Sequence, residues 1–156
     1  FGFTASRGEY AVLLDSDDYF EPELTSELSR TLDEHPEIDF AYPDYYEEYQ
    51  GNKKIVSPLN IFETTAAGTM LRRAKLMEAG AYNPDVKIFY EYDLLLRTLG
   101  KWSSFHVPKP LFTYCRREGS VTADSRRTEA ALEHLRILHP DKLEHILKIR
   151  TYVLSN

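Results

Sequence analysis

From Tyr10 the chain reads Tyr-Ala-Val-Leu-Leu-Asp-Ser-Asp-Asp, an apolar run that stops abruptly at three carboxylates. The run Tyr10 to Leu14 is too short for a helix and lacks period-2 alternation. It suits a strand covered on both faces, as in α/β sheets. Open α/β sheets bind ligands beyond the carboxyl ends of their strands, so Asp15, Asp17 and Asp18 are expected at a functional edge. Carboxylates this close disfavour joint ionisation. A hard divalent cation, Mg2+ or Mn2+, is the simplest partner that neutralises them. Capping the next helix would account for one of the three acids, not for all of them.

The 156 residues make one ordinary domain, long enough to bury roughly 68 to 70% of the unfolded surface. A net charge of −6 and a pI near 5.4 exclude a general nucleic-acid or anionic-membrane surface, which needs a basic face. Cys115 is the single cysteine, so no intrachain disulfide forms and a cytoplasmic location is expected. No apolar stretch reaches the ~20 residues of a bilayer span. The chain opens at Phe1 without an initiator methionine and meets its core strand almost at once. It reads as the later part of a larger domain, with sheet edges that invite pairing with a second copy as a homo-oligomer.

Residues 1 to 8 read as the end of a helix or a loop. Pro22 with flanking glutamates opens a helix to Glu34, whose buried stripe is Leu24, Leu28 and Leu32. Ile38 to Tyr42 is a strand, and Gly51-Asn52 turns a hairpin into Lys54-Ile55-Val56. A loop or short helix fills 57 to 67. Strand Gly68 to Arg72 then leads into helix Arg73 to Ala79, closed by Gly80. Asn83-Pro84-Asp85 is a turn and Tyr90 to Leu99 a helix. Trp102 to Val107 and Leu111 to Cys115 are read as two strands separated by Pro108-Lys109-Pro110. Helices Thr128 to Leu138 and Asp141 to Leu154 close the chain, with Leu132, Leu135, Leu138, Leu143, Ile146 and Leu147 inward. The division is 1–125 for the α/β part and 126–156 for a helical C-terminal extension.

The order of landmarks from Ala5 to Thr122 resembles the family 2 glycosyltransferases of the GT-A fold. Ala5-Ser6-Arg7-Gly8-Glu9-Tyr10 is similar to the family's entry to its central strand, and Leu14-Asp15-Ser16-Asp17-Asp18 to its DXD element. Gly68 to Arg73 resembles the strand near the acceptor site, and Gly80-Ala81-Tyr82-Asn83-Pro84 the family's G-G-Y-D-P turn. Tyr90-Glu91-Tyr92-Asp93-Leu94 lies where the family carries E-D-Y-D-L. Pro110 to Tyr114 and Gly119-Ser120-Val121-Thr122 are similar to the closing strand and phosphate-side loop. The fold implied is α/β, a partial GT-A (Rossmann-like) sheet flanked by helices, with the strands that recognise the nucleotide base lacking a counterpart.

What the resemblance implies is a metal-dependent, inverting transfer of a sugar from a UDP- or GDP-sugar to a hydroxyl of a carbohydrate or lipid-linked acceptor. Asp17 and Asp15, with Asp18 beside them, would hold the Mn2+ or Mg2+, Asp15 lying nearer the nucleotide ribose. Glu91 would be the catalytic base, one methylene longer than the family's aspartate. Arg116 and Arg117 would face the diphosphate where the family commonly has a histidine; plain surface charge is the other reading. Asp93 pairs more naturally with Arg97 at i+4 than it serves catalysis. Tyr45, Tyr46, Tyr49 and Trp102 offer faces for sugars, although tyrosines also suit half-buried strands. Two rivals stand beside this reading. A haloacid-dehalogenase-like phosphotransferase would use Asp15 as nucleophile and Asp17 as acid, but its later lysine and G-D-x-x-x-D setting are missing. A transferase-derived module that only binds is the other.

Overall fold

The structure is a computed structural model that describes residues 2–65, 67–120 and 123–151. Its helices are α1 (Gly2–Ala5), α2 (Leu24–Glu34), α3 (Arg73–Glu78), α4 (Tyr90–Thr98), α5 (Ser125–Leu138) and α6 (Leu143–Ile146). Its strands are β1 (Tyr10–Val12), β2 (Tyr19–Phe20), β3 (Phe40–Tyr49), β4 (Asn52–Val56), β5 (Met70–Arg72) and β6 (Ser104–Cys115), with a 3-10 turn at Ile61–Glu63. One mixed sheet runs β1-β5-β3-β6-β2, and β4 pairs with β3 off that path. β3 and β6 are parallel, while β5 lies antiparallel between β1 and β3. The α/β class expected from the sequence is the one found.

β1 therefore stands at an edge among the described strands, and it is not covered on both faces as expected. Ala11 is buried, but Leu14, past the last paired residue, is 49% exposed. Its antiparallel register on β5 joins Tyr10 to Arg72 and Val12 to Met70. A last bridge between Leu13 and Ala67 carries the chain to the acids.

Helix α2 covers one face of the sheet. Leu24, Leu28 and Leu32 are fully buried against Ala41, Tyr45, Met70, Val107 and Phe112. Burying each such leucine contributes roughly 1.5–3 kcal/mol. A second cluster on Phe40, Tyr42 and Leu71 gathers Leu76 of α3, Tyr92, Leu94 and Leu96 of α4, Leu135 of α5 and Ile146 of α6.

Three segment assignments change. The expected strand at Ile38–Tyr42 runs on to Tyr49, because β6 continues beside it along its whole length. The two strands expected around Pro108-Lys109-Pro110 are one strand, with register shifts at Pro43/Asp44 and Asp44/Tyr45. Prolines cannot donate to a ladder and are tolerated where an irregularity leaves the nitrogen unpaired. The helix expected from Asp141 is a single turn, Leu143–Ile146; past it the Arg150 amide bonds Phe62 O and the Arg150 side chain turns to Glu47. The part of that expected helix at 152–154 lies outside the described residues. Of its expected inward leucines, Leu143 is half exposed and Leu147 is 78% exposed, as Leu138 is 40% exposed on α5. Ile146 and Ile149 do the burying instead.

Candidate active site

The three acids occupy the turn that follows β1. The Asp18 amide donates to Asp15 O at 3.1 Å and closes the turn. The end of β6 then pins it from the side. The Cys115 amide donates to Asp18 Oδ1 at 2.8 Å, and Arg117 Nη2 sits 2.7 Å from Asp17 Oδ2. The other oxygen, Asp18 Oδ2, is buried and has no hydrogen-bond partner. Burial pushes the Asp18 carboxyl up to about 6, against the Cys115 amide, with the neighbouring Asp15 charge adding to the rise. Burial raises Asp15 as well.

Glu91 comes to this region on the first turn of α4. Burial raises its carboxyl to about 7, offset by its own backbone amide and reinforced by the charge of Asp15. Tyr82 and Tyr90 flank it, ring to ring at 5.0 Å in an edge-on pair. Burial, then the charges of Glu91 and Asp15, hold both phenols above their ordinary value. Glu91 and Tyr82 line a cavity of about 20 Å3 with Thr64, Thr65 and Thr69, room for about one water molecule.

The backbone around these side chains is strained. Phe89, immediately before α4, has φ 65°, and Ala81 has φ 56°. Non-glycine residues held in this region cost about 1–3 kcal/mol each and persist where the surroundings fix them. At Ala81 it is Arg97 that does that fixing. Its Nη1 donates to Ala79 O at 2.5 Å and its Nη2 to Ala81 O at 2.6 Å, while its Nε bonds Asp93 at 2.9 Å. The i+4 pair expected from the sequence is present. Asp93, 1% exposed, also faces His139 Nε2 at 2.9 Å.

The structure thus places Asp15 where its charge acts on both Asp18 and Glu91, and joins Arg117 to Asp17. Arg116 points elsewhere, 2.9 Å from the buried Glu47, which also holds Arg150 at 2.6 Å and Lys54 at 3.2 Å. The expected phosphate-side loop falls partly on Val121 and Thr122, outside the described residues. Among the described residues no group of three or more His, Cys, Asp or Glu side chains is placed to hold a metal ion, so Asp15, Asp17 and Asp18 do not converge as a trio. Mg2+ ordinarily needs no such group, since one or two carboxylates and substrate phosphates hold it. The unpartnered oxygen of Asp18 next to Asp15 fits such a cation better than Asp17, whose carboxylate already has an arginine.

Sequence reasoning missed Tyr82, Tyr90 and the three threonines as site walls. Tyr90 adjoins Glu91 and could have been noticed. Thr64 and Thr65 sat in a stretch without periodicity and Thr69 in the strand read from Gly68 to Arg72; only the fold gathers the three beside Glu91.

No family model matches the chain. An "Uncharacterized glycosyltransferase" of Haemophilus influenzae is 23% identical over 154 residues, covering 86% of this chain and 52% of that protein. An "Uncharacterized protein y4gI" of Sinorhizobium fredii is 24% identical over 149 residues, covering 82% of this chain and 15% of that protein. Among solved structures, S. aureus TarS 1-349 in complex with UDP superposes with TM-score 0.62 at 15% identity, covering 86% of this chain and 42% of that one. TarS 1-349 without a named ligand gives TM-score 0.65 at 16% identity, covering 93% and 48%. The chain spans about half, or less, of the length of these relatives. The superpositions show a fold shared with glycosyltransferase domains, of partial GT-A type.

Proposed function

We propose that the chain is the acid-bearing half of a glycosyltransferase that moves a sugar from a nucleotide-diphosphate sugar to an acceptor hydroxyl, inverting the anomeric centre as in family 2. The observation that carries the reading is that Asp15, in the turn after β1, lies close enough for its charge to act on both Asp18 and Glu91, with Glu91 raised to about 7. The UDP in the TarS complex and the name of the Haemophilus relative support it.

Glu91 is the base. A carboxyl near pH 7 is ionised in time to accept a proton and still basic enough to draw one from a hydroxyl. The Tyr82–Tyr90 ring pair lies beside it, and Tyr82 shares with it the walls of the small cavity. Asp15 and Asp18 would hold Mn2+ or Mg2+ with the donor diphosphate, and a bound cation supplies counter-charge to the departing nucleoside diphosphate. Arg117, 58% exposed at its side chain, is open on its outer side to reach a phosphate oxygen. Its link to Asp17 sets where the guanidinium starts.

The test is Mn2+ binding read by water-proton relaxation, with and without UDP or GDP. The full chain should bind Mn2+ more tightly when one of the nucleotides is present. Asp18→Asn and Asp15→Asn should abolish that enhancement, and Asp17→Asn should reduce it less. Enhancement that survives both of the first two variants, or no enhancement with either nucleotide, overturns the reading.

A further inference from the structure

A second cleft lies at the opposite end of α4 from Glu91. It encloses about 450 Å3 between the ends of α3 and α4, lined by Lys75, Glu78, Ala79, Arg97, Thr98, Lys101 and Trp102. That volume is within the usual range of small-molecule sites. Glu91 and Thr98 are seven residues apart on the helix, about 10 Å of rise, so this cleft is separate from the candidate active site.

The charge of its walls runs against that of the chain. The protein carries −6 overall, yet three cations face one carboxylate here. Lys101 is exposed and forms no ion pair among the described residues. Lys75 has only a long contact, 3.7 Å, to Asp39. Arg97 is committed to Asp93, Ala79 O and Ala81 O through three of its N–H groups; a guanidinium has five, so two remain. Two carbonyls near the end of α4 that would otherwise face an anion are hydrogen-bonded. Thr98 O accepts from the amides of Lys101 and Trp102, and Leu96 O from Lys142 Nζ.

The remaining wall is aromatic. Trp102 packs one side against Phe40, with centroids 6.2 Å apart, and stays half-buried. Its ring offers a flat, electron-rich surface that suits the C–H face of a saturated ring. Gly100, at φ 75° just after α4, turns the chain so that Lys101 and Trp102 follow side by side.

We propose that this cleft binds a monosaccharide-sized ligand that carries an anionic group, the ring on Trp102 and the anion between Lys101, Lys75 and the open side of Arg97. The proposal is independent of the transferase reading. Trp102 is the chain's one tryptophan, so its fluorescence reports on this cleft alone. The full chain is titrated with glucose 1-phosphate, with glucose and with inorganic phosphate. The expected result is a saturable change with glucose 1-phosphate, weaker binding of glucose and of phosphate alone, and a loss of about fivefold or more in affinity in Lys101→Glu. The doubly substituted Asp15→Asn, Asp18→Asn protein should respond like the native one. No saturable change, equal affinity for glucose and its phosphate, equal affinity in Lys101→Glu, or loss of the response in the double variant each overturns the proposal. Lys101 is exposed, so Lys101→Glu should fold; a thermal midpoint equal to the native one confirms that its lost binding is local.

Discussion

Replacing Glu91 by glutamine should make the protein more stable at alkaline pH and leave it unchanged at acid pH. The Glu91 carboxyl rises from its ordinary 4.5 to about 7 on folding, first through burial and then through the charge of Asp15, against the pull of its own amide. Between those two values the folded state holds a proton that the unfolded state has released. Stability from this group therefore falls as pH rises through the window, and the deficit is complete above pH 7. At about 1.4 kcal/mol for each pH unit between the two values, the ionised form costs the fold about 3 kcal/mol. Glutamine has the same shape and no charge to bury. For a domain of this length that is a gain of roughly 6 to 12 °C in thermal midpoint at pH 8.5, and close to none at pH 4.5. Thermal unfolding of both proteins across that range reads the difference directly. Other titrating groups are common to the two and cancel. Asp15→Asn should shrink the difference, since it removes part of what raises Glu91. A midpoint difference that does not change with pH would refute the reasoning, because it would mean that Glu91 ionises in the fold as freely as outside it.

Three further outcomes follow from other parts of the molecule. Asp93→Ala strips the partner from Arg97 and His139 in a buried setting, and should cost about 3–5 kcal/mol in urea unfolding. Gly68→Ala should also destabilise: φ is 77°, and a Cβ there would lie under 3.0 Å from three carbons of the Phe112 ring. Overpacking of that kind costs roughly 1–3 kcal/mol; a midpoint equal to the native protein's would show both that the ring yields and that the backbone there accepts a side chain. Glu47→Ala should flatten the acid limb of the stability curve. Burial pushes Glu47 up, but Lys54 and Arg116 hydrogen bonds and the Arg150 charge outweigh it and hold the carboxyl below its ordinary 4.5. That stability is present above pH 4.5 and is lost as pH falls, so the variant and native proteins should differ most near neutrality in denaturant titrations.

Where local chemistry decided the structure, the sequence was a good guide. The leucine stripe of α2, the Gly51 turn, the Gly80 and Gly100 helix ends and the Asp93–Arg97 pair are each set by residues a few positions apart. Where partners decided it, residues alone misled. Pro108 and Pro110 punctuate the chain as a break, yet β3 lies alongside and shifts register to accept them. Leu143 and Leu147 have helical spacing, yet the helix stops at Ile146 and the chain beyond it is tied by Arg150 to the buried Glu47. The candidate site divides in the same way. Three adjacent acids announced themselves, as did Glu91. That Asp17 would be taken by Arg117, leaving Asp18 with the unpartnered oxygen, depends on how the end of β6 meets the acid turn, a contact spanning 97 residues from Asp18 to Cys115.

That contact also explains how a costly site survives. Asp15, Asp18 and Glu91 each carry burial that opposes their charge, and left to themselves they would move apart or into solvent. Three long-range anchors prevent it. Cys115 and Arg117 hold the acid turn from β6. Arg72, at the foot of the same β1–β5 pair, donates to Ile38 O at 2.7 Å and to Leu32 O at 2.6 Å, fixing the sheet edge to the end of α2. Arg97 fixes the turn that carries Tyr82 beside Glu91. All three anchors place an arginine or a backbone amide on an oxygen distant in sequence, so the acids are held by groups that do not titrate in the range where the acids do. Burial, more than mutual repulsion, is what holds the Asp18 and Glu91 carboxyls above their ordinary values, and these anchors keep them buried.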